Sequence, residues 1–546
     1  MTGLGKPYPF FFAAFPVLGL AIENRGKVTF AEVAAPFLLA IGCTALVLWA
    51  LRRLLGDGRR AALVTTLGLI AFFAYGHLFG LIELVYLFDA TGEWAARLRR
   101  DAVVAPLWLA LFAALIGLVV RRGPEGFEGL SLFFAGTGVA LVGILGVRVA
   151  TSLWQSPRAF TVEEPAAFER FQENWRRLPE VSASAPAGEL PNVYYLVLDG
   201  YTSGDILDKE FGHDNSDFED RLTERGFFVA SQSRSNYPIT FLSLASSLNM
   251  FLLDDLAEAL GPRGTARRPA HDVVDDHRIQ RLFEGLGYRT VHLSSGWGPT
   301  MHNPVADEDL RCGWESELVT VLANTTLLRP VSNALFSQQV RQRIECTFDR
   351  LAELDGRTEQ PFYAFAHLIA PHPPYLFGPE GEARDAEAHD LVNWLPRSGY
   401  VGQLRYVNRR LEDLIDRILS DERPAVIILH GDHGSAMSGP TGGDVGEVTE
   451  PTPLMRERTA IFHALYLPER CRDRLYPSIT PVNSFRLLFS CHFGADLPLL
   501  EDKVYFSGYN RPYLLRDATD LFDSAPDADP LPEEGPLPEQ TDAPAS

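Results

Sequence analysis

Long apolar segments are confined to the first 150 residues of the 546-residue chain. Four of them carry no Asp, Glu, Lys or Arg and run over residues 33–51, 61–80, 102–120 and 129–147. Their length matches the hydrocarbon core of a bilayer, and helices apolar on every face are rare in globular domains. A fifth segment, 7–22, is shorter and contains prolines; a signal-peptide core is its alternative, although no small-residue cleavage site follows. The pattern predicts a transmembrane bundle of about five helices within residues 1–150.

The remainder of the chain alternates strand and helix patterns. "NVYYLVLDG" and "RPAVIILHGDHG" are short apolar runs with polar ends, and "DFEDRLTERGFFVA" combines a helix with an edge strand. Such alternation is typical of an α/β domain with a largely parallel central sheet, which we place at residues 191–523. Residues 151–190 are predicted to hold a juxtamembrane amphipathic helix and a linker. The acidic, proline-rich residues 524–546 are predicted to be a disordered tail.

Charged residues orient the predicted bundle. Paired arginines lie in the loops 52–60 and 121–129, whereas the other short loops are mixed or weakly basic. The positive-inside rule makes both arginine loops cytoplasmic, and an odd number of spans then places the α/β domain outside. The chain is therefore predicted to be a multi-pass protein of the cell membrane with an extracytoplasmic domain. Its formal net charge of −21 argues against nucleic-acid binding, which depends on Lys and Arg.

The cysteines fit an extracytoplasmic domain. Cys43 lies within a predicted span, and four cysteines remain outside: Cys312, Cys346, Cys471 and Cys491. Disulfides persist in that compartment, and four cysteines allow three pairings. We favour the sequence-local pairing, Cys312–Cys346 with Cys471–Cys491, while free buried thiols remain an alternative.

Polar residues follow three of the predicted strands. Asp199 ends "YYLVLD", His372 follows "FYAFAHLIAP", and Asp432 and His433 end "VIILHGDH". Ligands of open α/β sheets gather at the carboxyl ends of strands. Carboxylates and imidazoles are ligands for divalent metals, so these residues predict a metal site.

Thr240 in "SNYPITFLSLASSLNM" has two interpretations. Threonine is a favoured helix N-cap, and an apolar helical pattern follows it directly. Alternatively, its hydroxyl is a nucleophile whose deprotonation a divalent metal assists. The predicted metal ligands elsewhere in the chain favour the nucleophile.

Four segments, "PNVYYLVLDG", "SNYPITFLSLASSL", "HLIAPHPPY" and "ILHGDHG", resemble the signatures of the sulfatase-like branch of the alkaline phosphatase superfamily. The resemblance implies an alkaline-phosphatase-like fold and one divalent metal ion, Mn, Zn or Mg. It implies the metal ligands Asp199, Thr240, Asp432 and His433, with Thr240 as the nucleophile. His372 would face the substrate or the leaving group. His367 is a weaker candidate for a second metal site, and we expect it to be packed within its strand.

The nucleophile segment departs from that of sulfatases. They carry Cys or Ser in a Cys/Ser-x-Pro-x-Arg motif that matures to formylglycine, whereas this chain has "TFLSL". A threonine behind a membrane bundle is similar to lipoteichoic acid synthases and phosphoethanolamine transferases. That similarity implies transfer of a phospho-alcohol from a membrane phospholipid to a glycan or lipid acceptor through a phosphothreonine. A phosphodiesterase or phosphatase on the same scaffold, and a catalytically silent scaffold, are the alternatives.

A loop over residues 294–304, "SSGWGPTMHNP", presents Trp297 and His302 after a predicted strand. Its position resembles the substrate-binding loop of lipoteichoic acid synthases, which implies contacts of both side chains with a headgroup. A surface loop whose tryptophan packs on the domain is an equally open interpretation.

Overall fold

The structure is a computed structural model of the chain. It describes residues 7–23, 30–78, 101–121, 124–154, 162–180, 190–313, 317–355, 360–384, 394–439, 441, 446 and 450–524. Most of the predicted linker and almost all of the predicted tail lie outside the described residues. The chain divides into two compact units, Met1–Arg158 with Trp314–Gln339, and Ala159–Gly313 with Val340–Ser546.

The first unit contains the apolar helices. They are α1 (Tyr8–Glu23), α2 (Phe30–Leu55), α3 (Gly58–Phe73), α4 (Asp101–Arg121) and α5 (Glu128–Trp154). Among the described residues, three stretches are long and apolar enough to cross a membrane: Val33–Leu55, Val103–Arg121 and Glu128–Arg148. The N-terminal transmembrane bundle is thus confirmed. Helices α1 and α3 have 16 residues each, so the count of five spans remains a prediction.

Local sequence explains where α3 starts. The Asp57 side chain accepts a hydrogen bond of 3.0 Å from the backbone N–H of Arg59, which satisfies one donor at the helix start.

Two further features of the first unit agree with a membrane bundle. Arg52 and Arg53 lie in the last turn of α2, within the segment 52–60 predicted to be cytoplasmic. Leu107 on α4 and Leu132 on α5 are highly exposed apolar residues, as expected of side chains that face lipid.

The second unit is the α/β domain. Its sheets are formed by β1 (Asn192–Leu198), β2 (Phe228–Val229), β3 (Arg289–Leu293), β4 (Glu308–Leu310), β5 (Phe362–Leu368), β6 (Ala425–Gly431), β7 (His463–Tyr466), β8 (Tyr505–Phe506) and β9 (Arg516–Asp517). The first seven strands make one sheet in the order β2-β7-β6-β1-β5-β3-β4. Strands β6, β1, β5, β3 and β4 are parallel, and β7 and β2 add an antiparallel edge. The predicted, largely parallel α/β sheet is confirmed.

Helices connect and cover these strands. They are α6 (Pro165–Arg176), α7 (Gly204–Phe211), α8 (Ser216–Glu224), α9 (Thr240–Ser247), α10 (Asp254–Leu260), α11 (Arg268–Asp275), α12 (Arg278–Gly285), α13 (Glu317–Asn324), α14 (Arg329–Ala352), α15 (Arg397–Leu419), α16 (Pro453–Thr459), α17 (Glu469–Arg472), α18 (Pro481–Cys491) and α19 (Thr519–Ser524). Short 3₁₀ turns occupy Pro124–Phe127 and Gly298–Thr300. Helix α13 and the start of α14 belong to the first unit.

The central strand β1 is buried on both faces. Tyr195 and Val197 contribute to one apolar cluster, whereas Tyr194 and Leu196 contribute to another. Successive side chains of a strand point to opposite faces, so each cluster covers one side of the sheet. This two-sided burial explains the uninterrupted apolar pattern of "VYYLVL".

Two disulfides cross-link the α/β domain. They join Cys312 to Cys346 and Cys471 to Cys491, which confirms the sequence-local pairing. Among the described residues, Cys43 is the free cysteine. Disulfides of this kind fit an oxidising, extracytoplasmic compartment.

Candidate active site

Parallel pairing brings two carboxylates to one edge of the sheet. Asp199 directly follows β1, and Asp432 directly follows β6. Leu198 is in register with Gly431, so the residues after them are neighbours. Gly200 has a φ of 74°, and a Cβ there would come within 2.7 Å of the Trp394 ring, so the turn after Asp199 requires glycine. The strand order alone therefore assembles the carboxylate pair.

His433 completes a candidate metal centre. One ligand atom from each of Asp199, Asp432 and His433 lies within 4.8 Å of the other two. His433 Nε2 is 3.5 Å from Asp199 Oδ1 and 3.3 Å from Asp432 Oδ2. Since the carbonyl oxygen of Gly434 can only accept, His433 Nδ1 donates to it at 3.0 Å, and the neutral ring keeps its lone pair on Nε2. Both carboxylates therefore lie within 3.5 Å of the nitrogen that carries the lone pair.

Each of the two carboxylates has one oxygen atom that no hydrogen bond satisfies, so the pair favours a bound cation. Both side chains are buried, and Asp199 Oδ1 and Asp432 Oδ2 have no hydrogen-bond partner. Burial and the neighbouring charge of Asp199 raise the pKa of Asp432 to about 7. Burial would also raise the pKa of Asp199, but His372, His367 and His433 hold it below its ordinary value. Orphaned oxygen atoms beside an imidazole lone pair fit a divalent cation.

Thr240 is not a helix cap. It is the first residue of α9, and Ile239 occupies the N-cap position without a side-chain cap bond. The Thr240 hydroxyl instead lies 3.0 Å from His433 Nε2, next to the carboxylate pair. The cap interpretation is therefore wrong, and the threonine is placed as a fourth member of the candidate centre.

The turn before Thr240 is fixed by its own polar residues. Ser235 donates its hydroxyl hydrogen bond to the backbone carbonyl of Asp432, which ties the turn to the end of β6. The Asn236 side chain donates to the carbonyl of Lys503 at 2.8 Å and accepts from the N–H of Val482 at 3.1 Å. These bonds hold the threonine segment against two separate parts of the domain.

His372 and Trp394 form one wall of the site. The N–H of His372 donates to the Asp199 carbonyl at 2.9 Å, which fixes the histidine beside the first ligand. Its ring centroid is 4.8 Å from that of Trp394 and 6.3 Å from that of His433. His372 Nδ1 donates to the carbonyl of Pro373 at 2.7 Å, and burial lowers the pKa of the ring despite the opposing charge of Asp199.

The remaining predicted residues lie differently. Trp297 is half-buried, and its ring centroid is 5.6 Å from that of His367. His367 is packed within β5, as expected, but its Nε2 has no hydrogen-bond partner and lies 3.5 Å from Asp199 Oδ2. His302 is 40% exposed at its side chain, and its Nδ1 is 3.7 Å from Asp309 Oδ2. The structure thus links Trp297 and His367 to the centre through Asp199, whereas the contact described for His302 is with Asp309.

Arg458 is a member of the site that sequence reasoning missed. Its guanidinium is buried and donates to His433 Nε2 at 2.8 Å, to the carbonyl of Pro238 at 2.8 Å and to that of Gly434 at 2.9 Å. Burial lowers the pKa of the guanidinium, although the carboxylates Asp432 and Asp199 oppose that shift. An arginine in "LMRERTAIF" carries no local signal of such a role, because its partners come from distant segments.

Glu457, next to Arg458, holds the loop that follows His433. Its carboxylate accepts hydrogen bonds from the hydroxyls of Ser435 and Ser438 and from the N–H groups of Met437 and Ser438, all between 2.5 and 2.9 Å. Four donors on one buried carboxylate leave it fully compensated, in contrast to Asp199 and Asp432.

The parallel α/β fold and its carboxylate-histidine-threonine centre define an enzyme of the alkaline phosphatase superfamily, in the sulfatase-like branch. The family model "Sulfatase" matches residues 191–516, more than half of the chain. The chain therefore belongs to the sulfatase family. No curated protein sequence matches it.

Solved structures with a similar domain share little sequence with this chain. The C-terminal periplasmic domain of EcEptC from Escherichia coli in complex with Zn has 12% identity and a TM-score of 0.42, covering 65% of this chain and 99% of its own. The integral membrane lipooligosaccharide phosphoethanolamine transferase A from Neisseria meningitidis has 14% identity and a TM-score of 0.36, covering 89% and 96%. Sequence identities and TM-scores this low do not identify the substrate of this chain, which has to be inferred from the residues of the site.

Replacing Asp432 by asparagine tests the candidate metal centre. The substitution removes one ligand charge but keeps the shape, so we expect metal affinity to fall by at least about 10–100-fold. Above pH 7 it also removes the repulsion with Asp199, so the metal-free variant should melt no lower than the metal-free parent. Metal content after purification and melting temperature with and without added metal are the measurements.

Asp355→Asn is the matched control, because Asp355 is a partly buried aspartate that instead accepts a hydrogen bond of 2.8 Å from Tyr194. This control variant should retain the parental metal content. Equal metal content in the Asp432→Asn variant and the parent would refute the assignment.

The pH dependence of metal binding follows from the pKa of Asp432. In the parent, metal must displace the proton of Asp432, so apparent metal affinity should fall about tenfold per pH unit as the pH drops below the pKa of about 7.

Proposed function

We propose that the protein is a multi-pass enzyme of the cell membrane with an extracytoplasmic catalytic domain. It transfers a phospho-alcohol group from a membrane phospholipid to a glycan or lipid acceptor through a phosphothreonine. The observation that carries this proposal is the position of the Thr240 hydroxyl, 3.0 Å from His433 Nε2. A threonine side chain cannot mature to formylglycine, so the site has a hydroxyl nucleophile that forms a stable ester with phosphorus.

A single divalent metal, Mn, Zn or Mg, would be held by Asp199, Thr240, Asp432 and His433. When bound, it supplies positive charge that lowers the pKa of a hydroxyl and withdraws charge from a phosphoryl oxygen. The chain supplies the geometry: the backbone of Ile239 and the bond from Ser235 to Asp432 fix where the Thr240 oxygen points. In the first half-reaction that oxygen bonds to phosphorus, the bond from phosphorus to the diglyceride oxygen breaks, and the proton lost by the Thr240 hydroxyl passes to the diglyceride oxygen.

Arg458 would bind the phosphoryl oxygens. The single lone pair of His433 Nε2 serves either the guanidinium or a metal ion, so a loaded site leaves one Arg458 nitrogen without this acceptor. The other two bonds, to Pro238 and Gly434, hold the guanidinium in place. A fixed, buried cation beside the nucleophile stabilises charge that develops on phosphoryl oxygens.

His372 would exchange protons with the diglyceride oxygen that leaves and with the hydroxyl of the acceptor. Its Nδ1–H is committed to the carbonyl of Pro373, and its lowered pKa keeps the ring neutral near pH 7. The Nε2 lone pair can then take the proton of the acceptor hydroxyl as that oxygen attacks the phosphothreonine. Trp394 packs against the ring and limits its rotation. Trp297 and His302 remain candidates for headgroup contacts.

A hydrolase on this scaffold would share the first half-reaction and differ only in using water as the acceptor. The products formed from a labelled phospholipid, with and without a glycolipid acceptor, distinguish the two.

Variants of Thr240 test the nucleophile. Thr240→Ala should reduce phosphodiester cleavage to background because no other group forms the covalent intermediate, while the lost hydrogen bond costs only about 1 kcal/mol of stability. Thr240→Ser should keep part of the activity, since its hydroxyl is present but less restricted in rotamer. Cleavage rate and melting temperature are measured on both variants.

Ser243→Ala is the control, because Ser243 is a buried hydroxyl three residues further along the same helix. It should retain turnover at a comparable cost in stability. A Thr240→Ala enzyme that still cleaves at a near-parental rate would remove the threonine from the mechanism.

Arg458→Gln tests the phosphoryl-binding cation. Loss of one preorganised donor set should lower kcat by about 10²–10³ and weaken inhibition by inorganic phosphate, while metal content stays parental. Arg458→Lys should recover charge but not the forked geometry, and therefore only part of the phosphate affinity.

Arg486→Gln is the matched control, because Arg486 is also buried and also donates to backbone carbonyls, those of Pro498 and Met250. Arg486→Gln should lower stability and leave phosphate inhibition unchanged. Parental phosphate inhibition in Arg458→Gln would contradict the assigned role.

A further inference from the structure

One segment leaves the α/β domain and joins the membrane helices. Residues Trp314–Gln339 group with the first unit, although the chain before and after them belongs to the second. The described part holds α13 and the first turns of α14. The disulfide between Cys312 and Cys346, both in the second unit, closes this excursion at its base. The segment is therefore a loop closed by a disulfide rather than a separate domain.

Backbone hydrogen bonds attach the excursion to the end of α3. The N–H of Gly76 donates to the carbonyl of Thr325 at 3.0 Å, and the N–H of Leu327 donates to that of Phe72 at 2.9 Å. A Cβ on Gly76 would lie 2.2 Å from the carbonyl oxygen of Asn324, so this close approach requires glycine. Helix α3 starts in the arginine loop predicted to be cytoplasmic, so residues 72–76, at and just after its end, are predicted to lie at the outer membrane surface.

The excursion exposes an apolar surface at that level. Val321, Leu328, Val331 and Leu335 are between 39% and 56% exposed. Leu328, directly before α14, and Val331 and Leu335 within it are spaced by three and four residues, which puts them on one side of the helix. These three residues and Val321 are called the apolar stripe. Between residues 317 and 337 the charged side chains are Glu317 and Arg329, and Arg329 is buried.

The membrane helices of the same unit also expose apolar side chains. Leu107 and Leu132, in the same unit, are 66% and 73% exposed because helices of a bundle present such side chains to lipid. Helices that lie in a membrane interface combine an apolar face with few charges on that face. Lipid is thus the occupant that fits both the position and the composition of the stripe.

We propose that residues 317–337 insert their apolar stripe into the outer leaflet, as a second membrane contact formed by the chain of the catalytic domain itself. The disulfide and α14 connect the stripe covalently to the chain of the α/β domain. The proposal rests on the excursion alone and is independent of the reaction assigned to the active site.

Fluorescence quenching tests the insertion. In full-length Cys43→Ser protein with both disulfides intact, a label on Val331→Cys or Leu335→Cys is compared with one on Gln342→Cys, an exposed position two turns further along α14. Each variant is placed in phosphatidylcholine nanodiscs that hold one chain. Lipid spin-labelled near the headgroup should quench positions 331 and 335 more strongly than 342, and aqueous iodide should show the reverse order. Leu328→Cys provides a further site if either variant fails to fold.

Equal iodide quenching at all three positions would overturn the proposal, because it would place the stripe in water. Protection from both quenchers in single-chain discs would also overturn it, since protein would then cover the stripe. Protection that appears only in vesicles with many chains would instead identify a second copy as the occupant, again against the proposal.

Discussion

Two buried carboxylates in contact with one imidazole are the constraint on which the site depends. Asp199 and Asp432 are placed side by side by the parallel register of β1 and β6, and each keeps one oxygen without a hydrogen-bond partner. Like charges in a buried site are unfavourable, and burial together with the charge of Asp199 raises the pKa of Asp432. The sheet imposes this repulsion, and a divalent cation bound as proposed would relieve it.

The surroundings of the pair are arranged around that charge. His367 directs an unpartnered nitrogen toward Asp199, and Arg458 brings a buried guanidinium to His433. Glu457 holds the loop after His433. Its carboxylate accepts four hydrogen bonds, so neither of its oxygen atoms is left without a partner. Polar groups near the centre are therefore held by hydrogen bonds within the protein, as preorganised stabilisation of a charged substrate group requires.

Local patterns in the sequence were sufficient for the elements whose cause is local. The apolar runs predict the membrane bundle, the polar strand ends predict residues that the fold brings together at Asp199, Asp432 and His433, and the sequence-local disulfide pairing is confirmed. The cap interpretation of Thr240 fails because its hydroxyl meets His433, a partner 193 residues away. Arg458 and the excursion of residues 314–339 gave no signal, since both owe their roles to contacts with distant segments.

Metal-edge X-ray absorption of the full-length protein, with the metal it retains through purification, tests the central claim most directly. The account predicts a first shell of one imidazole nitrogen and otherwise oxygen atoms, at about 2.0–2.2 Å if the metal is zinc. It also predicts that the imidazole signal disappears in His433→Gln. A shell with several imidazoles or any sulfur, or a spectrum that His433→Gln leaves unchanged, would contradict it.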